Sequence, residues 1–126
     1  MELRHLRYFV AVAEELHFGR AAARLHIAQP ALSQQIKHLE AELGVLLLAR
    51  TKRMVALTEP GRLFLDETRR ALGQVARAVE VAREAEAGER GRLRIGYVDS
   101  ALWGALPAVI RVFRERFPRV TLTLLE

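Results

Sequence analysis

The stretch from residue 18 to residue 53 places the strongest limits on how this chain can fold. A short alanine-rich segment over residues 20–25 is followed by a break. Pro30 then suits the first turn of a new helix, where its missing N–H would have had no partner. In that helix four apolar residues recur at spacings of four, three and four, which predicts one buried stripe: Leu32, Ile36, Leu39 and Leu43. The pattern predicts two helices joined by a tight turn.

Polar side chains gather at the start of the second of these helices, away from its apolar stripe. They include Gln29, Ser33 and Gln34, which are uncharged hydrogen-bonding groups. Such groups at the start of the second helix are typical of a helix-turn-helix that reads bases in a DNA major groove. We therefore predict base contacts from Gln29, Pro30, Ser33 and Gln34. The alternative for each glutamine is a solvated polar residue.

A basic segment follows this helix. Two short apolar runs, over residues 46–48 and 55–57, flank it and predict a small β-hairpin, or wing. The wing and the helix before it carry the cations expected to hold DNA phosphates or enter the minor groove: Lys37, Arg50, Lys52 and Arg53. The alternative for the wing cations is a solvated basic loop.

A long helix is predicted over residues 59–87, with Thr58 as its N-cap. Apolar or small residues alternate along it at spacings of three and four and form a heptad seam: Leu65, Thr68, Leu72, Val75, Val79 and Ala82. The first helix, predicted over residues 3–16, is only about half as long. We therefore expect the seam to bind a second copy of the chain. The alternative is that the helix folds back on the N-terminal part.

Residues 88–91 carry a glycine at each end and are predicted to be a hinge. Beyond them, residues 92–98 and 120–125 are expected as strands and residues 101–117 as a helix, which gives one βαβ unit. Two strands and one helix cannot cover both faces of a parallel sheet, so we expect a truncated larger domain or cover from other chains. Ser100 follows the first strand, where α/β sheets present ligand groups; the alternative is an ordinary N-cap.

The predicted fold class is therefore mainly α. It comprises a winged helix-turn-helix over residues 1–58, a dimerisation helix over residues 59–87 and an incomplete α/β segment over residues 92–126. Residues 1–57 hold eight Lys/Arg against five Asp/Glu, a charge of +3, which is the minimum expected of a phosphate-contacting domain. No apolar run approaches the roughly 20 residues that cross a bilayer, and the chain has no cysteine. We expect a cytoplasmic protein without a membrane partner.

Catalytic and metal-binding patterns are missing from the sequence. The four histidines lie on different predicted elements and show no metal-ligand spacing. No phosphate loop, nucleophile elbow or pair of acids is recognisable, so we expect no enzyme, no catalytic residue and no metal or other cofactor. A coiled-coil interaction protein with an inert helix-turn-helix is the alternative function. The polar and basic residues on one predicted surface argue against it.

The chain resembles the LysR-type transcriptional regulators over its whole length. The matching residues are Phe9, Phe18, Ala21-Ala22…Leu25, Gln29-Pro30-Ala31-Leu32-Ser33…Ile36…Leu39-Glu40…Leu43-Gly44, Leu47…Arg50…Arg53, Val55 and Leu57-Thr58…Gly61. The opening MELRHLRYFVAVAEE and the turn HIAQPALS look most like members that control the degradation of aromatic compounds. Gln34 stands where relatives often carry arginine, so the resemblance does not fix the operator sequence. Ala28 and Gly19 stand where many relatives place a serine or threonine cap.

The resemblance implies a winged helix-turn-helix that binds double-stranded operator DNA as a homodimer, with the long helix pairing antiparallel with its mate. It also implies an effector-binding domain, of which residues 92–126 would be the first βαβ unit. For a full-length protein it implies a tetramer, contact with RNA polymerase, and a small-molecule effector near Ser100. The sub-group suggests that this effector is an acidic metabolite of aromatic degradation.

Overall fold

A computed structural model describes residues 1–126. Its elements in chain order are α1 (Leu3–Glu15), α2 (Phe18–Leu25), α3 (Gln29–Leu43), β1 (Leu48–Arg50), β2 (Val55–Leu57), α4 (Glu59–Glu86), β3 (Arg90–Gly96), α5 (Asp99–Leu102), α6 (Leu106–Arg116) and β4 (Arg119–Leu125). They form two compact units, Met1–Val75 and Ala76–Glu126. The boundary between the units lies inside α4, whereas the sequence predicted boundaries at the two ends of this helix.

The first unit is a winged helix-turn-helix, as predicted. Helices α1, α2 and α3 pack around one apolar core, whose largest fully buried side chains are Phe9, Val12, Leu32, Ile36, Leu39 and Leu47. The wing is the antiparallel pair of β1 and β2, with Leu48 opposite Leu57 and Arg50 opposite Val55. Each strand has only three residues, so Leu46 and Leu47, predicted as part of the hairpin, precede the strand.

Helix α2 begins two residues earlier than the sequence predicted. Its N-cap is His17, whose Nδ1 accepts a hydrogen bond of 2.9 Å from the backbone N–H of Arg20. Gly19, which stands where many relatives place a cap, lies inside the helix, so the cap position is residue 17 and not residue 19. An imidazole nitrogen here satisfies the N–H group that a serine or aspartate oxygen satisfies in commoner caps.

Helix α4 is the longest element, with 28 residues. Thr58 caps it as predicted, because its Oγ1 accepts a hydrogen bond of 3.0 Å from the N–H of Gly61. In the first turn, Arg62 donates hydrogen bonds to Glu59 and lowers the pKa of that carboxyl group. Neither α4 nor any other helix combines the length and the apolar character needed to span a bilayer.

The second unit contains the predicted βαβ arrangement, with β3 and β4 parallel from the pair Arg90–Arg119 to the pair Gly96–Leu125. The single helix predicted over residues 101–117 is wrong, since α5 and α6 are separate helices. Pro107 explains the break, because its ring has no N–H to donate to the Trp103 carbonyl and clashes with that group in a continuous helix. Every side chain of residues 76–126 is at least partly exposed to solvent.

The segment between α4 and β3 is shorter than the predicted hinge. Helix α4 ends at Glu86 and β3 begins at Arg90, which leaves residues 87–89 as the connection. The Glu84 carboxylate, near the end of α4, forms an ion pair of 2.8 Å with Arg90 and a second one with Arg119. These pairs join the end of the helix to the first residues of both strands.

Candidate nucleic-acid interface

Helix α3 has one buried face and one polar face. Leu32, Ile36 and Leu39 are at most 1% exposed and anchor the helix in the core. On the polar side, Gln29, Pro30 and Gln34 are exposed and Ser33 is half-buried. Lys37 is also exposed, and it follows Ser33 by one helical turn, which places it on the same face. The structure therefore brings the predicted base-contacting residues together on one surface of α3.

The start of α3 has no side-chain cap. Its N-cap is Ala28, which has extended backbone angles and makes no capping hydrogen bond, and Pro30 lies in the first turn. The first N–H groups of the helix are therefore not satisfied by a side chain. Such N–H groups, at the positive end of the helix dipole, attract an anion such as a phosphate.

The tip of the wing is a tight turn held by Thr51. Its Oγ1 accepts hydrogen bonds from the backbone N–H groups of Met54, at 3.0 Å, and of Arg53, at 3.4 Å. The Thr51 N–H also donates to the Met54 carbonyl at 2.9 Å. These hydrogen bonds involve backbone groups of the turn and the Thr51 hydroxyl. The side chains of Lys52 and Arg53 take no part in them and are exposed.

Arg50 differs from the other wing cations. Its guanidinium group forms an ion pair of 2.8 Å with Glu40 and lies 4.7 Å from the centre of the Phe18 ring. Its side chain is 26% exposed, and it belongs to β1 and not to the tip. The structure therefore gives Arg50 partners within the fold, while Lys52 and Arg53 are exposed at the tip.

One cleft joins the start of α3 to the wing tip. It has a volume of about 460 Å³, and Gln29, Lys52 and Arg53 line it together. His17 and Arg20, from the start of α2, form another part of its wall. Three elements that are distant in the sequence thus present hydrogen-bonding and cationic groups to the same space. No carboxylate side chain lines this cleft, which suits it to an anionic partner.

The predicted dimerisation seam on α4 divides into two parts. Leu65 and Thr68 are 7% and 2% exposed, and Leu65 belongs to the core of the first unit. The prediction that Leu65 faces a second chain is therefore wrong, because this part of α4 packs on its own domain. Leu72 and Val75 are half-buried, whereas Val79 is 44% exposed and Ala82 is exposed.

Ser100 lies in the first turn of α5, beyond the carboxyl end of β3, and is exposed. The N-cap of α5 is Val98, so the alternative that Ser100 is an ordinary cap is wrong. No group of three or more histidine, cysteine or acidic residues is arranged to hold a metal ion. His5 and His17 instead accept hydrogen bonds from backbone N–H groups near the starts of α1 and α2.

Two residues of this region were given no structural or functional role from the sequence. Glu40 is 6% exposed and contacts the wing, and His17 caps α2 and lines the cleft. For His17, the only signal was a polar residue directly before an alanine-rich helix. For Glu40, no local pattern distinguishes it from the exposed acids near it, since its partners lie seven to ten residues further on.

The fold and this surface define a winged helix-turn-helix protein. Residues 3–62 match the family described as bacterial regulatory helix-turn-helix protein, lysR family. AlsR of Bacillus subtilis (strain 168), an HTH-type transcriptional regulator, is 56% identical over all of this chain, which covers 42% of AlsR. This chain therefore spans less than half the length of that relative.

Solved structures agree with this assignment. Full-length CbnR in complex with its target DNA is 40% identical, with a TM-score of 0.86, over 98% of this chain and 43% of CbnR. The DNA-binding domain of CbnR in complex with DNA is 45% identical, with a TM-score of 0.66, over 68% of this chain and 99% of that domain. The chain belongs to the LysR family of bacterial transcriptional regulators, which confirms the resemblance found in its sequence.

Proposed function

We propose that this chain is a sequence-specific DNA-binding module of a transcriptional regulator, with α3 in the major groove and the wing on the adjacent backbone. The observation that carries the proposal is the shared cleft, which is lined by Gln29 of α3 and by Lys52 and Arg53 of the wing. A base-reading amide and two phosphate-binding cations on one surface are what a duplex requires. The DNA complexes of the CbnR relatives support the same assignment.

The proposal includes binding as a homodimer. The last two turns of α4 expose an apolar row that contains Val79 and Ala82. Two copies that pair along this row would present two recognition surfaces, which is how a dimer reads a near-palindromic operator. We therefore assign Leu72, Val75, Val79 and Ala82 to the dimer contact and leave Leu65 to the core of the first unit.

Selection from a pool of random duplexes tests the function. The chain is incubated with the pool at moderate salt, and the bound duplexes are amplified and sequenced over successive rounds. We expect enrichment of a near-palindrome whose half-sites are about one helical turn apart. Salt-dependent binding without any enriched sequence would leave only a basic surface and would contradict the proposal.

Gln34→Ala is expected to change base preference without changing the contacts to the backbone. A glutamine amide pairs with N6 and N7 of adenine through two hydrogen bonds, so we expect an A·T preference at the base pair that Gln34 faces. The variant should lose about tenfold in discrimination at that one position. Titration of enriched duplexes substituted at single positions measures this. Unchanged discrimination at every position would contradict the role of Gln34.

Arg53→Ala is expected to weaken binding to all duplexes to the same extent. Its exposed guanidinium at the wing tip is placed to hold a phosphate, which carries no sequence information. The slope of log affinity against log salt concentration should fall by about one unit. Arg7→Ala, which removes an exposed arginine from α1, is the matched control. A similar change of slope in the control would show that only total charge matters.

The larger regulator to which such a module belongs would bind a small-molecule effector. Ser100 supports this part of the proposal, because it is exposed at the carboxyl end of β3 and is not used as a cap. An acidic metabolite of aromatic degradation is the class of effector that we propose. We also propose that the protein acts in the cytoplasm by binding and not by catalysis, as a tetramer when full-length, and in contact with RNA polymerase.

A further inference from the structure

A buried carboxylate connects α3 to the wing. Glu40 lies on α3, is 6% exposed, and accepts hydrogen bonds from the backbone N–H groups of Leu47, at 2.8 Å, and Leu48, at 3.5 Å. Its other oxygen accepts a hydrogen bond of 2.8 Å from the guanidinium of Arg50. All these partners belong to the base of the wing, and Leu48 and Arg50 are the first and last residues of β1.

Arg50 extends this connection to a third element. Its guanidinium lies 4.7 Å from the centre of the ring of Phe18, the first residue of α2. A cation over an aromatic face is attracted by the ring quadrupole, and a partly buried site strengthens the attraction. Glu40, Arg50 and Phe18 therefore join α3, β1 and α2 side by side.

The wing depends on such attachments for its orientation. A two-stranded hairpin with three residue pairs has little stability of its own. Thr58, which follows β2, is hydrogen-bonded to the two residues that precede β1. Its Oγ1 donates to the Leu46 carbonyl at 2.6 Å, and its N–H donates to the Leu47 carbonyl at 3.0 Å. On the β1 side, Glu40 and Arg50 provide the corresponding attachment to α3.

We propose that Glu40 is a positioning residue that sets the wing against α3, so that Lys52 and Arg53 reach the phosphates beside the bases that α3 reads. This inference rests on the proposed DNA-binding function and adds a residue that does not itself touch the DNA. Glu40 acts through Arg50 and through the N–H groups of Leu47 and Leu48. Loss of the carboxylate would release the wing while α3 stays in place, because the apolar face of α3 holds it in the core.

Charge alone predicts the opposite result, which makes the inference testable. Glu40→Gln removes one negative charge from the helix that faces DNA, so simple electrostatics predicts tighter binding to a polyanion. The positioning role predicts weaker binding, because the amide keeps a single acceptor oxygen and turns an N–H₂ group toward Arg50 or Leu47. Weaker binding with a smaller salt slope is therefore the signature of a released wing.

The experiment is a double-mutant cycle between Glu40→Gln and Arg53→Ala in the whole chain. Binding is titrated against the duplex enriched by the unsubstituted chain and against a scrambled duplex of the same composition, at several salt concentrations. In the original background, Arg53→Ala should cost about tenfold in affinity. In the Glu40→Gln background, we expect it to cost less than about twofold, because the wing no longer delivers Arg53 to a phosphate.

Two controls separate positioning from general effects. Glu67→Gln makes the same chemical change in an exposed ion pair with Arg70 on α4, and it should leave the cost of Arg53→Ala unchanged. Circular dichroism confirms that each variant is folded at the assay temperature. If Glu40→Gln unfolds, Arg50→Gln carries the same cycle, since it breaks the ion pair from the less buried side and leaves Glu40 bonded to Leu47.

An equal cost of Arg53→Ala in both backgrounds would overturn the inference, as would tighter binding by Glu40→Gln. Failure of the proposed function itself gives a different result. In that case the selection would enrich no duplex, and the unsubstituted chain would bind every duplex of the same length equally.

Discussion

Gly61→Ala is expected to lower the free energy of unfolding of the winged helix-turn-helix unit by about 3 kcal/mol. A Cβ atom at this position would lie 1.9 Å from the carbonyl oxygen of Leu47 and 2.8 Å from its carbonyl carbon. The obstacle is backbone, and Leu47 is fully buried with its N–H bonded to Glu40 and its carbonyl oxygen bonded to Thr58. Nothing there can move without breaking another contact, so the first turn of α4 must separate from the base of the wing.

Gly73→Ala is the matched control in the same helix, and its effect should have the opposite sign. No atom lies within 4 Å of the Cβ position of Gly73. Alanine there should raise the stability by up to about 1 kcal/mol, the difference between the two residues in a helix interior. Urea unfolding followed by circular dichroism at one protein concentration measures both. Equal effects at the two glycines would contradict the close packing of α4 on Leu47.

Val79→Glu is expected to have the second largest effect, this time on assembly and DNA binding. The exposed Val79 lies in the apolar row of α4 that we assign to the dimer, and a buried, unpaired carboxylate would be strongly unfavourable there. We expect a monomer, and an affinity for a near-palindromic duplex that is about a hundredfold lower, because the second half-site no longer contributes. Light scattering and titration of the duplex measure the two consequences.

The control for Val79→Glu is Gln74→Glu, which adds the same charge to an exposed position of α4 outside the heptad row. It should leave the protein dimeric and reduce DNA affinity only slightly. A Val79→Glu variant that remains a dimer would show that the exposed row has another role.

Features that depend on local spacing were predictable from the sequence. Three residues of the predicted stripe, Leu32, Ile36 and Leu39, are buried and place Gln34 on the opposite, exposed side of α3. The fourth, Leu43, was also predicted to be buried but is 36% exposed at the end of the helix. Pro30 and Gly44 mark the two ends of that helix, where the structure has a proline in the first turn and a glycine with φ of 75° at the C-cap. The two ends of α3 could therefore be predicted without knowing what the helix packs against.

Features that depend on a distant partner were not predictable. A row of cations at residues 50–53 does not reveal that Arg50 is bound to Glu40 while Arg53 is exposed. The heptad row on α4 gives the buried face but not its partner, so Leu65 was assigned to a second chain although it packs in its own domain. The cap at His17 was missed because imidazole is a rare capping group.

Directed cleavage of DNA tests the central claim that α3 and the wing grip one half-site together. The chain has no cysteine, so a single introduced cysteine carries an iron chelate at a known place. His38→Cys labels the exposed side of α3 one turn beyond Gln34, and Met54→Cys labels the wing tip, where residue 54 is 68% exposed. Both variants keep every residue assigned to DNA contact, and Gln74→Cys on α4 is the control.

We expect the chelate on residue 38 to cut the enriched duplex inside each half-site, and the chelate on residue 54 to cut just outside each half-site. Each should give two sets of cuts related by the symmetry of the near-palindrome, and the two sets from residue 54 should lie further apart than those from residue 38. The control at residue 74 should give no focused cleavage. Diffuse cutting from residues 38 and 54, or the same pattern from all three positions, would contradict the proposed interface.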